Sequence, residues 1–226
     1  MKLSIHGQSC VMIELENKTR LIIDPFITDN PLSDLKASEI KADYILITHG
    51  HNDHIGDTEL IAKNNNALII ANVEISDYFK AKGLNSHGMN LGGSYEFDFG
   101  RVKMVRADHS SSYRESSGMT IPMGNPAGFI LKLENKYIYH AGDTALFSDM
   151  KLFVEDNPID LAFLPIGDNY TMGPEDAIKA CHFLNPHKMI PIHYDTFDLI
   201  KQDPTVLKEA LPDVVQLPKI GEDIIL

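Results

Sequence analysis

Residues 47–57 read Ile-Thr-His-Gly-His-Asn-Asp-His-Ile-Gly-Asp, which puts His49, His51, Asp53 and His54 within six positions. Imidazoles and carboxylates are poor core residues unless they are paired, so this concentration asks for a chemical reason. The residues just before it, 44–48, read Tyr-Ile-Leu-Ile-Thr and predict a buried strand, leaving His49 and His51 where strand gives way to loop. In extended chain, residues i and i+2 point the same way, so two imidazoles can reach one metal ion from a short rigid base. Asp53 and His54, beyond the turn, can reach a second ion. Gly50 and Gly56 permit the tight backbone that such convergence requires. The bland alternative is a His-rich surface turn, or polar side chains bonded to one another where a helix starts near Ile55 with Asp53 as its cap. Three histidines and an aspartate at a strand end favour metal.

A site for two ions needs more ligands than these four. His109 follows the apolar run 102–107, Asp143 follows residues 136–140 in Tyr-His-Ala-Gly-Asp-Thr, and His193 ends Met-Ile-Pro-Ile-His. Each is preceded by a strand-like run that would deliver it to the same sheet edge. Taken in order, His49-x-His51-x-Asp53-His54, then His109, Asp143 and His193, resemble the motif set of the metallo-β-lactamase superfamily. The resemblance spans nearly the whole chain, from Asp24-Pro25 to His193-Tyr194-Asp195. With Tyr-His-Ala-Gly-Asp-Thr and Pro-Ile-His-Tyr-Asp both present, the chain is most similar to a branch of metal-dependent hydrolases near the L-ascorbate-6-phosphate lactonases.

That resemblance implies an α/β (α+β) fold, a four-layer αββα sandwich with two metals at one edge. It implies that His49, His51 and His109 bind one ion, that Asp53, His54 and His193 bind the other, and that Asp143 bridges them. Asp24 would stand behind these ligands and support residues 49–54 through hydrogen bonds. Near relatives often read His-Gly-His-Ser at the start, where this chain has His6-Gly7-Gln8-Ser9, so the role of Gln8 is open.

Two divalent ions sharing Asp143 would also share a water and lower its pKa enough to supply hydroxide near neutral pH. Asp53, bound to metal through one oxygen, could orient that hydroxide with the other, which makes it the catalytic candidate. A donor set of His and Asp suits Zn²⁺, Mn²⁺ or Fe²⁺. The expected reaction is hydrolysis of a lactone, ester or related bond of a small polar metabolite. The alternatives are a phosphodiesterase acting on a small phosphodiester and a metal-binding protein without catalysis. Structural zinc sites are usually closed by four ligands, often cysteines, which argues against the last. Histidine at position 51, where glutamate would be expected, argues against an iron-dependent oxidoreductase.

Further polar residues could touch substrate or support the site. His140 precedes the Asp143 turn and reads as support or core packing. Asp168, Asn169 and Tyr170 follow another buried run, and Arg114 carries a guanidinium suited to a carboxylate or phosphate. Residues 108–126 show neither helical nor strand periodicity, and so long a connection beside His109 predicts a loop bordering the site.

The remaining chain must position these residues. It has 226 residues, 43% of them hydrophobic, and a formal charge of −12, with no run rich in Lys or Arg. Affinity for long nucleic acid or an anionic membrane is therefore not expected. No apolar run approaches a membrane span, the N-terminus does not read as a signal peptide, and Cys10 and Cys181 read as buried thiols of a reducing cytoplasm. Short strands are predicted at 2–6, 10–15, 20–24, 44–48, 67–71, 94–97, 102–107, 128–133, 136–140, 160–165, 188–193 and 223–226. Helices are predicted at 57–63, 74–81, 174–184 and 204–210. Without a low-complexity linker or internal repeat, residues 1–226 read as one domain, and the resemblance implies association into a homo-oligomer.

Overall fold

Successive side chains of a strand point to opposite faces, so a run that is apolar throughout must be covered on both sides. A computed structural model of the chain, which describes residues 1–154 and 158–226, meets this requirement with two sheets. The first contains β1 (Lys2–Ile5), β2 (Val11–Glu14), β3 (Arg20–Ile23), β4 (Tyr44–Leu46), β5 (Leu68–Asn72), β6 (Ser86–Met89) and β15 (Ile224–Ile225). Their order is β15-β1-β2-β3-β4-β5-β6. The second sheet contains β7 (Ser94–Phe97), β8 (Gly100–Arg106), β11 (Ala127–Leu133), β12 (Lys136–His140), β13 (Leu161–Pro165) and β14 (Lys188–Ile192). It is ordered β14-β13-β12-β11-β8-β7, and a separate hairpin joins β9 (Ser112–Arg114) to β10 (Thr120–Pro122).

The alternation of side chains assigns the layers. Leu21, Ile23, Leu46 and Ile70 meet Met104, Phe129, Leu161 and Phe163 in the core between the sheets. Their neighbours Ile22, Ile45 and Ile69 belong to an outer core with Ile61 of α2 (Thr58–Asn65) and Phe79 of α3 (Val73–Ala81). Across the molecule, Ala162 and Leu164 pack with Ala177 and Leu184 of α4 (Pro174–Leu184) and with Leu207 of α5 (Thr205–Ala210). Helix, sheet, sheet, helix is the four-layer αββα order that the motifs imply. Each buried Leu or Ile adds about 1.5–3 kcal/mol of transfer free energy, so both faces of each sheet contribute to stability.

Strand direction then gathers the ends of several strands. β3, β4 and β5 run parallel in the first sheet, and β12, β13 and β14 run parallel in the second. β8 and β12 both pair antiparallel with β11 and so share a direction. The residues that follow β3, β4, β8, β12 and β14 are consequently delivered to one edge, and these segments carry Asp24, His49, His109, Asp143 and His193.

Three local features differ from the sequence expectation. The stretch 108–126 is not without structure: Ser112, Tyr113 and Arg114 pair with Pro122, Ile121 and Thr120. Strands of three residues are too short to display periodicity. Residues 86–89, Ser-His-Gly-Met, form edge strand β6, where His87 packs 4.4 Å from the Tyr95 ring and 5.0 Å from the Phe97 ring. A short helix α1 (Asn52–Ile55) begins at Asn52, so Asp53 lies inside its first turn and is not a cap; His51 occupies the cap position. Among the described residues, no helix is long and apolar enough to cross a membrane, and Cys10 and Cys181 are buried and free.

Gly56 ends α1 with φ +41°, and a Cβ there would run into the backbone carbonyl of Pro25. Gly56→Ala should therefore destabilise the protein by more than about 1 kcal/mol. A urea midpoint equal to that of the parent would show that the loops bearing Asp24 and His54 do not need this close approach.

Candidate metal centre

The centre is assembled from segments far apart in sequence. His49 leaves β4, and Asp24, at the end of β3, fixes it there: its carboxylate accepts from the Thr48 backbone N–H at 2.8 Å and the Thr48 hydroxyl at 2.6 Å. The same carboxylate takes His54 Nδ1 at 2.8 Å. That bond puts the proton on Nδ1 and turns the Nε2 lone pair of His54 inward. Asp24 is fully buried and has φ +47°, a conformation that a non-glycine residue holds only when its surroundings compel it.

Asp143 stands at the middle. Its Oδ2 lies 2.9 Å from His193 Nε2, 3.3 Å from His54 Nε2, 3.6 Å from His109 Nε2 and 3.8 Å from His49 Nε2. His51 joins through Nδ1, 3.0 Å from His49 Nε2 and 3.3 Å from His109 Nε2. Asp53 Oδ2 lies 3.5 Å from His193 Nε2 and 3.7 Å from His54 Nε2. Among the described residues, three groups each bring their donor atoms within 4.8 Å of one another: His49, His51 and His109; His49, His54 and Asp143; and Asp53, His54 and His193. All seven residues named from the sequence thus come together in one cluster, with Asp143 close to four of the histidines.

The donors fit divalent cations. His54 Nε2 and Asp143 Oδ1 are buried and make no hydrogen bond, a costly state for lone pairs unless something cationic meets them. The set offers imidazole nitrogen and carboxylate oxygen without thiolate, which suits Zn²⁺, Mn²⁺ or Fe²⁺. Burial holds His49 well below the usual imidazole range, lowers His51, and pushes His109 down to about 4. These three are neutral, with lone pairs free to ligate. Burial opposes charge on His54 and His193 as well, but the surrounding carboxylates together, Asp143 first and then Asp53, raise His54 well above the usual range and His193 to about 9. Burial likewise opposes ionisation of Asp143, yet His193 and His54 hold it well below the ordinary carboxylate range. Positive charge is therefore favoured beside Asp143, as a cation held by these donors would supply.

Neighbouring contacts make this arrangement rigid. Gln8 Nε2 donates to Asp53 Oδ2 at 2.6 Å, while its backbone carbonyl accepts from the His193 N–H at 2.9 Å. One residue, at the position whose role the sequence left open, thus tethers two members of the Asp53, His54 and His193 triad. His140 is buried; its Nδ1 accepts from the Gly142 N–H at 3.2 Å, leaving Nε2 to donate to the Ser9 carbonyl at 3.0 Å. It shapes the Asp143 turn from behind. The hairpin is attached through Asn52, whose side chain pairs with both backbone groups of Arg114 at 2.8 and 3.0 Å. Ser110, at the start of this segment, reaches His51 Nε2 at 3.3 Å.

A cavity of about 710 Å³ opens over the centre, lined by His51, Asp53, His109, Asp143 and His193, with Asn52, Ser110, Phe26, Asp29, Tyr170, Phe197 and Leu199. Tyr170 is the one residue of the Asp168, Asn169 and Tyr170 group that reaches it. Asp168 lines a different hollow with Gly173 and Pro174, Asn169 is exposed, and Arg114 is exposed with only its backbone tied to Asn52. Phe197 and Leu199, beyond His193, were not singled out from the sequence. Exposed apolar residues in a loop leave no pattern there.

Removing a group that orients a ligand typically costs 10- to 100-fold in metal affinity. Asp24→Asn and Gln8→Ala should each weaken cation binding by about that factor in competition with a chelator. Parental affinity in both variants would mean that the triads hold their geometry without these bonds.

Comparison with known proteins identifies the family. Residues 2–193 match the family model described as a β-lactamase superfamily domain. A UPF0173 metal-dependent hydrolase of Enterococcus faecalis is 57% identical over 211 residues, 93% of this chain and 94% of that one. The UPF0173 metal-dependent hydrolase YtkL of Bacillus subtilis is 53% identical over 99% of both chains. Among solved structures, the metallo hydrolase Igni18 of Ignicoccus hospitalis superposes with a TM-score of 0.89 at 34% identity, covering 99% of this chain and 97% of that one. The chain belongs to the β-lactamase superfamily, in the group of UPF0173 metal-dependent hydrolases.

Proposed function

We propose that the protein hydrolyses a lactone, ester or related acyl bond of a small molecule, with two divalent cations, Zn²⁺ or Mn²⁺ ahead of Fe²⁺. His49, His51 and His109 would hold one, Asp53, His54 and His193 the other, and Asp143 would reach both. The observation that carries this reading is Asp143 Oδ2, within 3.8 Å of four imidazole Nε2 atoms at the floor of an open cavity. A structural metal site would be closed on all sides, whereas this one faces a space large enough for a substrate.

When bound, the cations supply Lewis-acid polarisation of the scissile group's oxygen and a lowered pKa for an attacking water. The protein's own groups do the rest. Gln8 fixes one oxygen of Asp53, whose side chain borders the cavity, so the carboxylate has a set orientation towards a water there. Burial works against ionising Asp53, but the neighbouring His54 and His193 hold it well below the usual carboxylate range. It therefore remains an anion, accepting a hydrogen bond from water and aiming it at the substrate rather than retaining its proton. The Asp24 bond to His54 and the Thr48 contact to His49 prevent the ligands from turning as charge shifts during reaction. Two buried free thiols and the charge of −12 support a reducing cytoplasmic setting and a substrate other than a polyanion.

A screen of lactones, esters, thioesters and small phosphodiesters with added Zn²⁺ or Mn²⁺ tests the proposal. We expect turnover of an acyl substrate, and a fall of about 100-fold or more in kcat/KM in His49→Ala and Asp143→Ala, comparable to losing a principal stabiliser of the transition state. Turnover confined to phosphodiesters would replace acyl transfer with attack at phosphorus. Full activity in either variant would move the chemistry to another site.

A further inference from the structure

The outer half of the cavity differs in character from its floor. Phe26, Tyr170, Phe197 and Leu199 converge on it from three separate segments, those following β3, β13 and β14. The Phe26 and Phe197 rings lie 6.3 Å apart, with Phe26 buried beneath. Leu199 is 64% exposed, Tyr170 53% and Phe197 41%, so each presents apolar surface to water at the cavity wall. Among the described residues, no Lys or Arg lines the cavity, and Asp29 adds a carboxylate to its wall. An anionic group away from the metal floor would meet no counter-charge and one like charge. An apolar group would remove exposed hydrocarbon from water on both sides of the contact.

We infer that the substrate carries an uncharged apolar acyl chain or aryl group, seated between Phe26, Tyr170, Phe197 and Leu199, and that these side chains set specificity. The inference deepens the hydrolase reading and rests on it for the reacting bond. The apolar seat itself is a binding property that can be measured without turnover. Phosphorylated sugars and other multiply charged metabolites are poor candidates, so the small polar metabolite expected from the motifs is replaced by an amphiphilic one. The cavity adjoins the reacting centre, and this continuity commits its apolar wall to substrate rather than to a partner protein.

Two measurements on the metal-loaded protein test this. The first follows kcat/KM along a series of 4-nitrophenyl esters from acetate to octanoate, with an ester bearing a terminal phosphate for comparison. The second follows binding of the neutral fluorophore N-phenyl-1-naphthylamine, which needs no reaction. The parent should gain about fourfold per added methylene until the seat is filled, and should bind the fluorophore. In Phe197→Ala/Leu199→Ala the gain should flatten, KM for the octanoate ester should rise about 10-fold or more, and fluorophore binding should weaken; Phe197→Leu should restore part of each. Circular dichroism of the variants checks that they remain folded. An unchanged chain-length slope together with unchanged fluorophore affinity in the double variant would overturn the inference, as would preference of the parent for the phosphate-bearing ester. A variant that only converts an oligomer to monomer, leaving fluorophore affinity intact, would assign these residues to self-association and overturn it as well. If no ester is hydrolysed, the acyl-hydrolase reading fails by itself, and the fluorophore data still decide whether the seat exists.

Discussion

A carboxylate with almost no exposure, ringed by four imidazoles, is the constraint on which the structure depends. Asp143 has lost its water, and an ionised carboxylate in such surroundings is strongly disfavoured unless positive charge stands close to it. Asp143 favours positive charge at His54 and His193, whose ring nitrogens are also among those best placed to ligate. Protons and metal ions therefore compete for the same lone pairs, and loading the site means releasing protons. His49, His51 and His109, kept neutral by burial, face no such competition. The two triads are thus electrostatically unequal, although both are built from the same kinds of side chain.

Holding these groups together requires backbone conformations that the chain would not otherwise choose. Gln8, Asp24 and His193 all have φ between +47° and +54°. For non-glycine residues such conformations cost about 1–3 kcal/mol each, and their presence at three points around one centre marks where packing is used to hold function. The compensation comes from both sheets. The three cores, one between the sheets and one on each outer face, leave few ways for the strand ends to move, and hydrogen bonds then join the loops to one another. The Ala127 N–H donates to the Thr48 carbonyl across the sheets, the Asp108 N–H to the Thr144 hydroxyl, and the His193 N–H to the Gln8 carbonyl. The wall of the cavity is made from the same loops, so the apolar seat and the polar floor are fixed by one frame.

Much of this was legible in the sequence, for a physical reason. Parallel strands buried on both faces read as unbroken apolar runs, and the residue that ends such a run can only lie at the sheet edge. His49, Asp143 and His193 could therefore be placed without knowing the loops between them. Helix α4 was equally plain, because Pro174 sets its start and acidic residues follow in the first turn. What could not be read was short or non-periodic. Strands β9 and β10 have three residues each, β6 consists of Ser-His-Gly-Met, and α1 is a single turn. Gln8 was marked as standing where near relatives often have histidine, but its contact with Asp53 could not be read because the two are 45 residues apart and joined only by the fold. Arg114, whose guanidinium would suit a carboxylate or phosphate, lies exposed in the hairpin with its backbone bonded to Asn52 and is not among the residues lining the cavity.

The proposed hydrolysis depends on cations lying between His49, His54, His193 and their neighbours around the buried Asp143. The most direct measurement is anomalous diffraction at the absorption edge of Zn or Mn, on crystals of protein purified without chelator. The account predicts two peaks on either side of Asp143, each about 2.0–2.2 Å from its histidine nitrogens. A fully folded protein soaked in either metal that shows no peak within reach of His49, His54 and His193 would contradict it.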